Sequence, residues 1–415
     1  MLPDQYAHNG DSLLPPRALD GVKVLDLGHG IPPANAGKLL ACFGAEVIKV
    51  EPPYGDLLRR SGPFPRDLPH PETSGIFQLL NVNKRGITLN LDSVHGRRLF
   101  RMLLSWADIM VEGLGAGVLD DLGLPYEEME RINPALVVAS ITPFGQSGPY
   151  RDYKSYEIQS YAFGGPMYFT GQPEREPVNA ATNVSDLHTG LAAASAAMVT
   201  FHRAESSGVG DYIDLAAAEV QLGNIDRRAA KLLAYSYTGT VGPRNLDHMG
   251  IGSGPFPCAD GYINLLGGEF GFDRVCSLIE REDLLEEPRF ATAEGRRDPA
   301  NIEEISGMVI SWLYSKSKLD VWETAQRKRV LSGVVNTTED LLNDDHFWER
   351  GMWARTQHPF VGEMTMPGRS IKMYRTPWQV HSPAPTLGQH NQEVYCGMLG
   401  YSRAELARLR QMGAI

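Results

Sequence analysis

A chain of 415 residues exceeds the size at which one core usually keeps growing, which points to two domains or to one large domain with an excursion. With 42 % hydrophobic and 21 % charged residues it has the composition of a globular protein, and no run of about 18 apolar residues offers a membrane span. The formal charge of −11 sets the whole-protein field against phosphate backbones and anionic lipid, which argues against nucleic acid and membrane as partners and leaves an anionic ligand dependent on a local basic patch.

Residues 1–18 carry no basic start and no apolar centre, so they read as a loose tail and not as a signal peptide. The cysteines, Cys42, Cys258, Cys276 and Cys396, are far apart and form no C-x-x-C pair, which indicates neither a disulfide framework nor a metal site and fits a reducing cytoplasm. Val22–Leu27 reads as a buried strand, residues 35–43 as a short helix and Glu46–Val50 as a second strand, which makes a β-α-β unit. The pattern recurs with a strand over 86–91, a helix over 95–106, a strand over 108–111, a helix over 126–132 and a strand over 135–141. Alternation of this kind predicts a mostly parallel sheet covered on both faces. Residues 208–222 pass from a strand into a helix, and the Gly-, Pro- and Asn-rich stretch 235–254 leads into a second domain. Helices are expected over 272–279, 302–314, 319–327 and 402–411, with a Pro- and turn-rich stretch over 359–386. No repeat of fixed period is present.

The most informative stretch is Asn183-Val184-Ser185-Asp186-Leu187-His188-Thr189-Gly190, which runs into a small-residue helix. An Asp side chain is an anion near neutrality and can attack a thioester carbonyl without a separate base, so Asp186 is a candidate nucleophile. Read alone, Ser185 or Asp186 is more readily a helix cap than a nucleophile. Gly28-His29-Gly30 follows the first strand where a dinucleotide loop would sit, but Pro33 replaces the third glycine and the NAD pattern fails. The loop can still cover a ligand, since open α/β sheets bind beyond their carboxyl strand ends. Asn83-Lys84-Arg85-Gly86, with Arg59 and Arg60 upstream, is a basic concentration that could pair with phosphates or be a solvated turn. Gly250, Gly252 and Gly254 fall in a run able to adopt positive φ and to move over a site.

Taken in order, Gly21–Leu27, Leu40–Glu51, Asn83–Arg85, Ala107–Glu112, Phe144–Pro149, Gly333–Thr337 and Ala384–His390 make the chain resemble the class III CoA-transferases, the family of formyl-CoA transferase and carnitine CoA-transferase. The resemblance implies a Rossmann-like parallel-sheet large domain plus a smaller α+β domain, in subunits interlocked like chain links. Its boundaries would be a tail over 1–18, a large CoA-binding domain over 19–215, a linker over 216–240, a small domain over 241–350 and a return to the large domain over 351–415. Asp186 corresponds to the aspartate that the family acylates, passing CoA from an acyl-CoA donor, with succinyl-CoA as one candidate, to an acceptor acid. CoA and acyl-CoA are then substrates, with no permanently bound cofactor and no metal. The resemblance places CoA near Ile31, Pro32, Leu89, Gly113, Leu114 and residues 154–157, among them Lys154, Tyr156 and Glu157, with charge from Arg85. His29 and the glycines 250, 252 and 254 would line or cover the substrate. The chain departs from the pattern at Pro52 and Asp121, where arginines are common, and at Ile31, where glutamine is frequent; Arg59, Arg60 or Arg85, or a partner subunit, would compensate. An α-methylacyl-CoA racemase shares the fold but needs a His-Asp pair where this chain has Ser155-Tyr156-Glu157. A third reading is one subunit of a heteromeric transferase, so the expected assembly is a homodimer or a heteromer with a paralogous subunit.

Overall fold

A computed structural model describes residues 17–223, 227–242, 244 and 250–415, without the side chains of 227–231 and 269–270. Most of the N-terminal tail, and parts of the linker and of the stretch leading into the second domain, lie outside the described residues. The chain divides into two compact units, one made of the described residues up to Thr170, Pro177–Gly242 and Trp348–Ile415, the other of Gly171–Glu176 and the described residues of Pro243–Phe347.

The first unit is built in chain order from β1 (Lys23–Gly28), α1 (Ile31–Cys42), β2 (Glu46–Glu51), α2 (Gly75–Leu80), β3 (Arg85–Thr88), α3 (Val94–Trp106), β4 (Ile109–Gly113), α4 (Val118–Asp121), α5 (Tyr126–Ile132), β5 (Val137–Thr142), α6 (Glu157–Phe163), α7 (Val184–Ser207), β6 (Asp211–Ala216), α8 (Ala217–Leu222) and α9 (Arg227–Thr238). Its strands form one six-stranded sheet in the order β3-β2-β1-β4-β5-β6, parallel throughout. This is the doubly wound order, and it reverses between β1 and β4. Strand residues alternate between two cores: Leu25, Ile48 and Met110 pack with Phe100 and Leu103 of α3, while Val24, Val47 and Val111 pack with Leu40 of α1 and Ala193 and Ala197 of α7. Both faces are thus buried, which is why the strands read as continuous apolar runs.

α1 starts earlier than the apolar spacing suggests, because Pro32 and Pro33 occupy its first turn, where proline loses no helical hydrogen bond. The segment after Thr386 closes the sheet at its β3 edge. Gly86 N donates to His390 Nδ1 at 2.9 Å, Thr88 N to Asn391 Oδ1 at 2.9 Å, and Tyr395 OH to Thr88 O at 2.7 Å. These side chains satisfy an edge that would otherwise be open. A hairpin of β10 (Trp353–His358) and β11 (Gly362–Pro367) also belongs to this unit.

The second unit carries a three-stranded antiparallel sheet, β7 (Gly254–Cys258), β8 (Gly261–Leu266) and β9 (Leu331–Val335), in that order. Helices Gly268–Leu278, Pro299–Leu313 and Lys318–Arg327 cover it, with Phe272, Val309, Leu313 and Val321 fully buried.

Candidate active site

α7 begins at Asn183, which holds a left-handed φ of 68° and offers no side-chain cap. Ser185 and Asp186 do not cap it either. The donor left open at Ser185 N is met from another helix, by Glu157 Oε1 at 3.3 Å, and Asn179 Nδ2 steadies the second Glu157 oxygen at 3.3 Å. A carboxylate at a helix N-terminus is favourable for its charge and its lone pairs. With that role taken by Glu157, the Asp186 carboxylate accepts no hydrogen bond among the described residues. Burial, and then the charge of Glu157, push the Asp186 carboxyl up to about 6. Asp186 is therefore mostly ionised at neutral pH, yet more basic than a solvated aspartate, and acylation would discharge it beside a like charge.

The first turns of α1 and α7 meet here. Asn35 Nδ2 donates to Leu187 O at 2.8 Å, and a Cβ at Gly190 would stand 2.5 Å from Pro32 O, so only glycine permits this approach. Leading into α1, the His29–Gly30 loop borders a cavity of about 240 Å³ at the carboxyl ends of β1 to β4, whose walls include His29, Glu51, Leu89, Asp92 and Leu114. That is the switch point at which doubly wound sheets hold nucleotides. Gly28 lines it and packs against Gly113 of β4, a Cβ at Gly28 falling 2.7 Å from Gly113 N. Burial pushes the His29 imidazole below its ordinary value, and its Nδ1 has no partner among the described residues.

Sequence-expected residues thus form two groups. His29, Leu89 and Leu114 line the cavity with Gly113 against Gly28, while Glu157 stands beside Asp186 and Pro32 packs against Gly190 one turn further along α7. Ile31 is 7 % exposed and packs into a core with Leu58 and Phe77. Lys154 is exposed, and Tyr156 is 83 % exposed.

The basic cluster divides differently from its reading as phosphate partners. Arg59 is buried, held by Glu51 at 2.6 Å and Glu72 at 2.7 Å, and stacks 3.9 Å from the Phe77 centroid. Arg85 lies at the amino end of β3, away from the cavity, between Glu46 and Glu393. Lys84 is enclosed by Asp26 Oδ2 at 2.7 Å, Ala34 O at 2.8 Å and Asn81 Oδ1 at 2.9 Å. Lys49 bridges Asp26 at 3.2 Å and Asp56 at 2.8 Å and donates to Gly28 O at 2.7 Å. Arg59, Lys84 and Lys49 are consumed in holding the fold, and Arg85 in ion pairs at the amino end of β3; Arg60 alone of the expected cluster is exposed. Gly250, Gly252 and Gly254 belong to the other unit, where Ile251 O accepts from Gly268 N at 2.9 Å and Ser253 Oγ from Gly267 N at 2.9 Å.

A doubly wound sheet with a cavity at its switch point, and an unpartnered carboxylate at the start of a neighbouring helix, places the chain among α/β enzymes that act beyond the carboxyl ends of their strands. The whole sequence narrows this further: residues 19–391 match CoA-transferase family III, and the chain belongs to that family of enzymes, which transfer CoA. A formyl-CoA:oxalate CoA-transferase of Streptomyces coelicolor is 32 % identical, covering 96 % of this chain and 99 % of its own. The BbsE subunit of a succinyl-CoA:(R)-benzylsuccinate CoA-transferase from Thauera aromatica is 30 % identical over 95 % of this chain and 97 % of its own. Among solved structures, a CAIB/BAIF family protein from Brucella suis superimposes with a TM-score of 0.82 at 29 % identity, over 94 % of this chain and 99 % of that one. No helix among the described residues is long and apolar enough to cross a membrane.

Proposed function

We propose that this enzyme moves CoA from an acyl-CoA donor, with succinyl-CoA as a candidate, to a carboxylic acid acceptor through covalent intermediates on Asp186. The observation that carries the reading is the placement of that carboxylate: at the start of α7, with no hydrogen-bond donor among the described residues, and raised by burial and by the neighbouring Glu157. An Asp186 oxygen attacks the donor thioester carbon, the C–S bond breaks, and CoA leaves as thiolate. The thiolate attacks the Asp186 carbonyl carbon of the mixed anhydride, forming an aspartyl-CoA thioester and releasing the donor acid as carboxylate. The acceptor carboxylate then displaces the thiolate, and the thiolate takes the acceptor acyl group from the second anhydride, restoring Asp186. Each step exchanges one acyl bond for another of similar energy, which conserves the thioester if water is kept out.

The cavity over β1 to β4 would take the nucleotide end of CoA, with His29, Leu89 and Leu114 against it and Arg60 and Lys154 available for charge. On α9, Leu232 and Leu233, each 56 % exposed, and Tyr237, 84 % exposed, present an apolar surface that suits a second subunit, identical or paralogous. The reaction type is tested by supplying succinyl-CoA with a panel of acids, and separately a 2-methylacyl-CoA in deuterated water with no acceptor. CoA exchange to an acid without α-deuteration is expected. Rapid α-deuteration with no exchange to any acid would replace this reading with racemisation.

A further inference from the structure

Two sequence motifs, Ala107–Glu112 and Phe144–Pro149, contain polar side chains that the transfer chemistry does not use and that meet beside the cavity. Glu112 is the penultimate residue of β4, is 1 % exposed, and stands in register with Ser140 of β5. No cation pairs with it among the described residues. Its Oε2 accepts from Leu114 N at 2.8 Å, and its Oε1 accepts from Ser140 Oγ. Gln146 Nε2 donates to Ser140 Oγ at 2.9 Å, while Gln146 Oε1 accepts from Gly117 N at 3.1 Å. Gln146 is itself anchored through its backbone N–H to both oxygens of Asp214, at 3.0 Å each.

The relay therefore grips the loop after β4 at two backbone N–H groups, Leu114 and Gly117. That loop leads into α4, a single turn with no side-chain cap, and Leu114, Val118 and Leu122 form one wall of the cavity. A helix this short does not hold itself in place. Burying a carboxyl without a cation is costly, and burial pushes Glu112 up to about 7 against the opposing hydrogen bonds of Ser140 and Leu114. A cost of this kind at a cavity wall fits a positioning role.

We propose that Glu112, Ser140 and Gln146 are positioning residues that fix the Leu114–Leu122 wall against the nucleotide end of CoA, and so set affinity for the CoA thioester and not the rate of acyl transfer. The proposal rests on the reading of the cavity given above. The test uses the full chain as wild type, Gln146→Ala, Glu112→Ala and Glu112→Gln, with calorimetric titration of CoA, separate KM values for acyl-CoA and acceptor acid, and Tm. Losing one end of the relay should raise the Kd for CoA and the KM for acyl-CoA by about 5- to 100-fold in both alanine variants, with kcat and the acceptor KM within about two-fold. Glu112→Gln should recover most of the affinity, because its amide oxygen still accepts from Leu114 N and its amide nitrogen can donate to Ser140. An unchanged Kd in Gln146→Ala would overturn the proposal, as would a lowered Tm with CoA affinity intact, which marks a purely structural role. Gln146 is only half-buried, so its variant decides the matter even if Glu112→Ala does not fold. Wild-type protein that binds CoA but transfers it to no acid would defeat the transfer reading alone, since the titration reads binding directly.

Discussion

Asp26, in the middle of β1, has each carboxylate oxygen facing a lysine ammonium, Lys49 at 3.2 Å and Lys84 at 2.7 Å. Asp186, at the start of α7 in the same unit, has no hydrogen-bond donor among the described residues, and burial, then the charge of the Glu157 carboxylate, raise it to about 6. The two sites show how a protein separates charge that holds its fold from charge kept for chemistry. At Asp26 the network is complete and fully buried; it ties β1 to β2 and to the Asn81–Lys84 segment, and pins the Gly28 carbonyl under the cavity. At Asp186 compensation is withheld, and the natural stabiliser of a carboxylate, the helix N-terminus, is given to Glu157 instead.

If the contrast is real, substitutions at the two aspartates should fail in opposite ways. Asp186→Ala should lower transfer by three or more orders of magnitude, about 4 kcal/mol or above in transition-state stabilisation, while far-UV circular dichroism stays native. Turnover within ten-fold of wild type would remove Asp186 from the reaction. Asp26→Asn should instead leave the buried Lys84 ammonium without its counter-charge and Lys49 with Asp56 alone, and lower unfolding free energy by about 3–5 kcal/mol, read from urea titration. A loss below about 1 kcal/mol would mean that the lysines re-pair or lose their protons cheaply.

Asp186→Asn should stabilise the fold. A carboxyl raised to about 6 from its ordinary value of 3.8 is protonated in both states below about pH 3, so it costs nothing there. The cost builds between about pH 3 and 6 and stays constant above, so the variant should gain about 3 kcal/mol at pH 8 and almost nothing at pH 3. Equal stability at both pH values would show that the carboxylate is well solvated. The smallest effect is expected from Glu157→Gln, which removes the like charge but keeps an acceptor for Ser185 N. The acid limb of kcat/KM, set near pH 6 by Asp186, should move to lower pH by less than about one unit. Movement to higher pH would contradict the assigned source of the shift.

Much of this was legible in the chain itself, and unevenly. β1, β2, β4 and β5 are buried on both faces, so their apolar runs announce them. β7 to β9 are missed because β7 is broken by Pro255 and Pro257 and buries only alternate residues, and β10 and β11 because they lie in or beside turn-rich sequence. The motif around Asp186 marks the nucleophile candidate, but its pairing with Glu157 crosses a left-handed turn at Asn183 that no periodicity encodes. The basic cluster reads as phosphate-binding because the partners of Arg59 and Arg85 include Glu72, Glu46 and Glu393, which only the fold brings near. Glu112 carried a signal, a carboxylate directly after the apolar run Ile109-Met110-Val111, whose meaning needed Ser140 and Gln146 beside it.

The most direct test of the withheld charge at Asp186 is peptide mass spectrometry of the protein quenched after incubation with succinyl-CoA and other acyl-CoAs, without acceptor. An acyl or CoA adduct on the peptide containing Asp186, absent in Asp186→Asn, is the predicted result. An adduct on another residue, still formed in Asp186→Asn, would contradict the account.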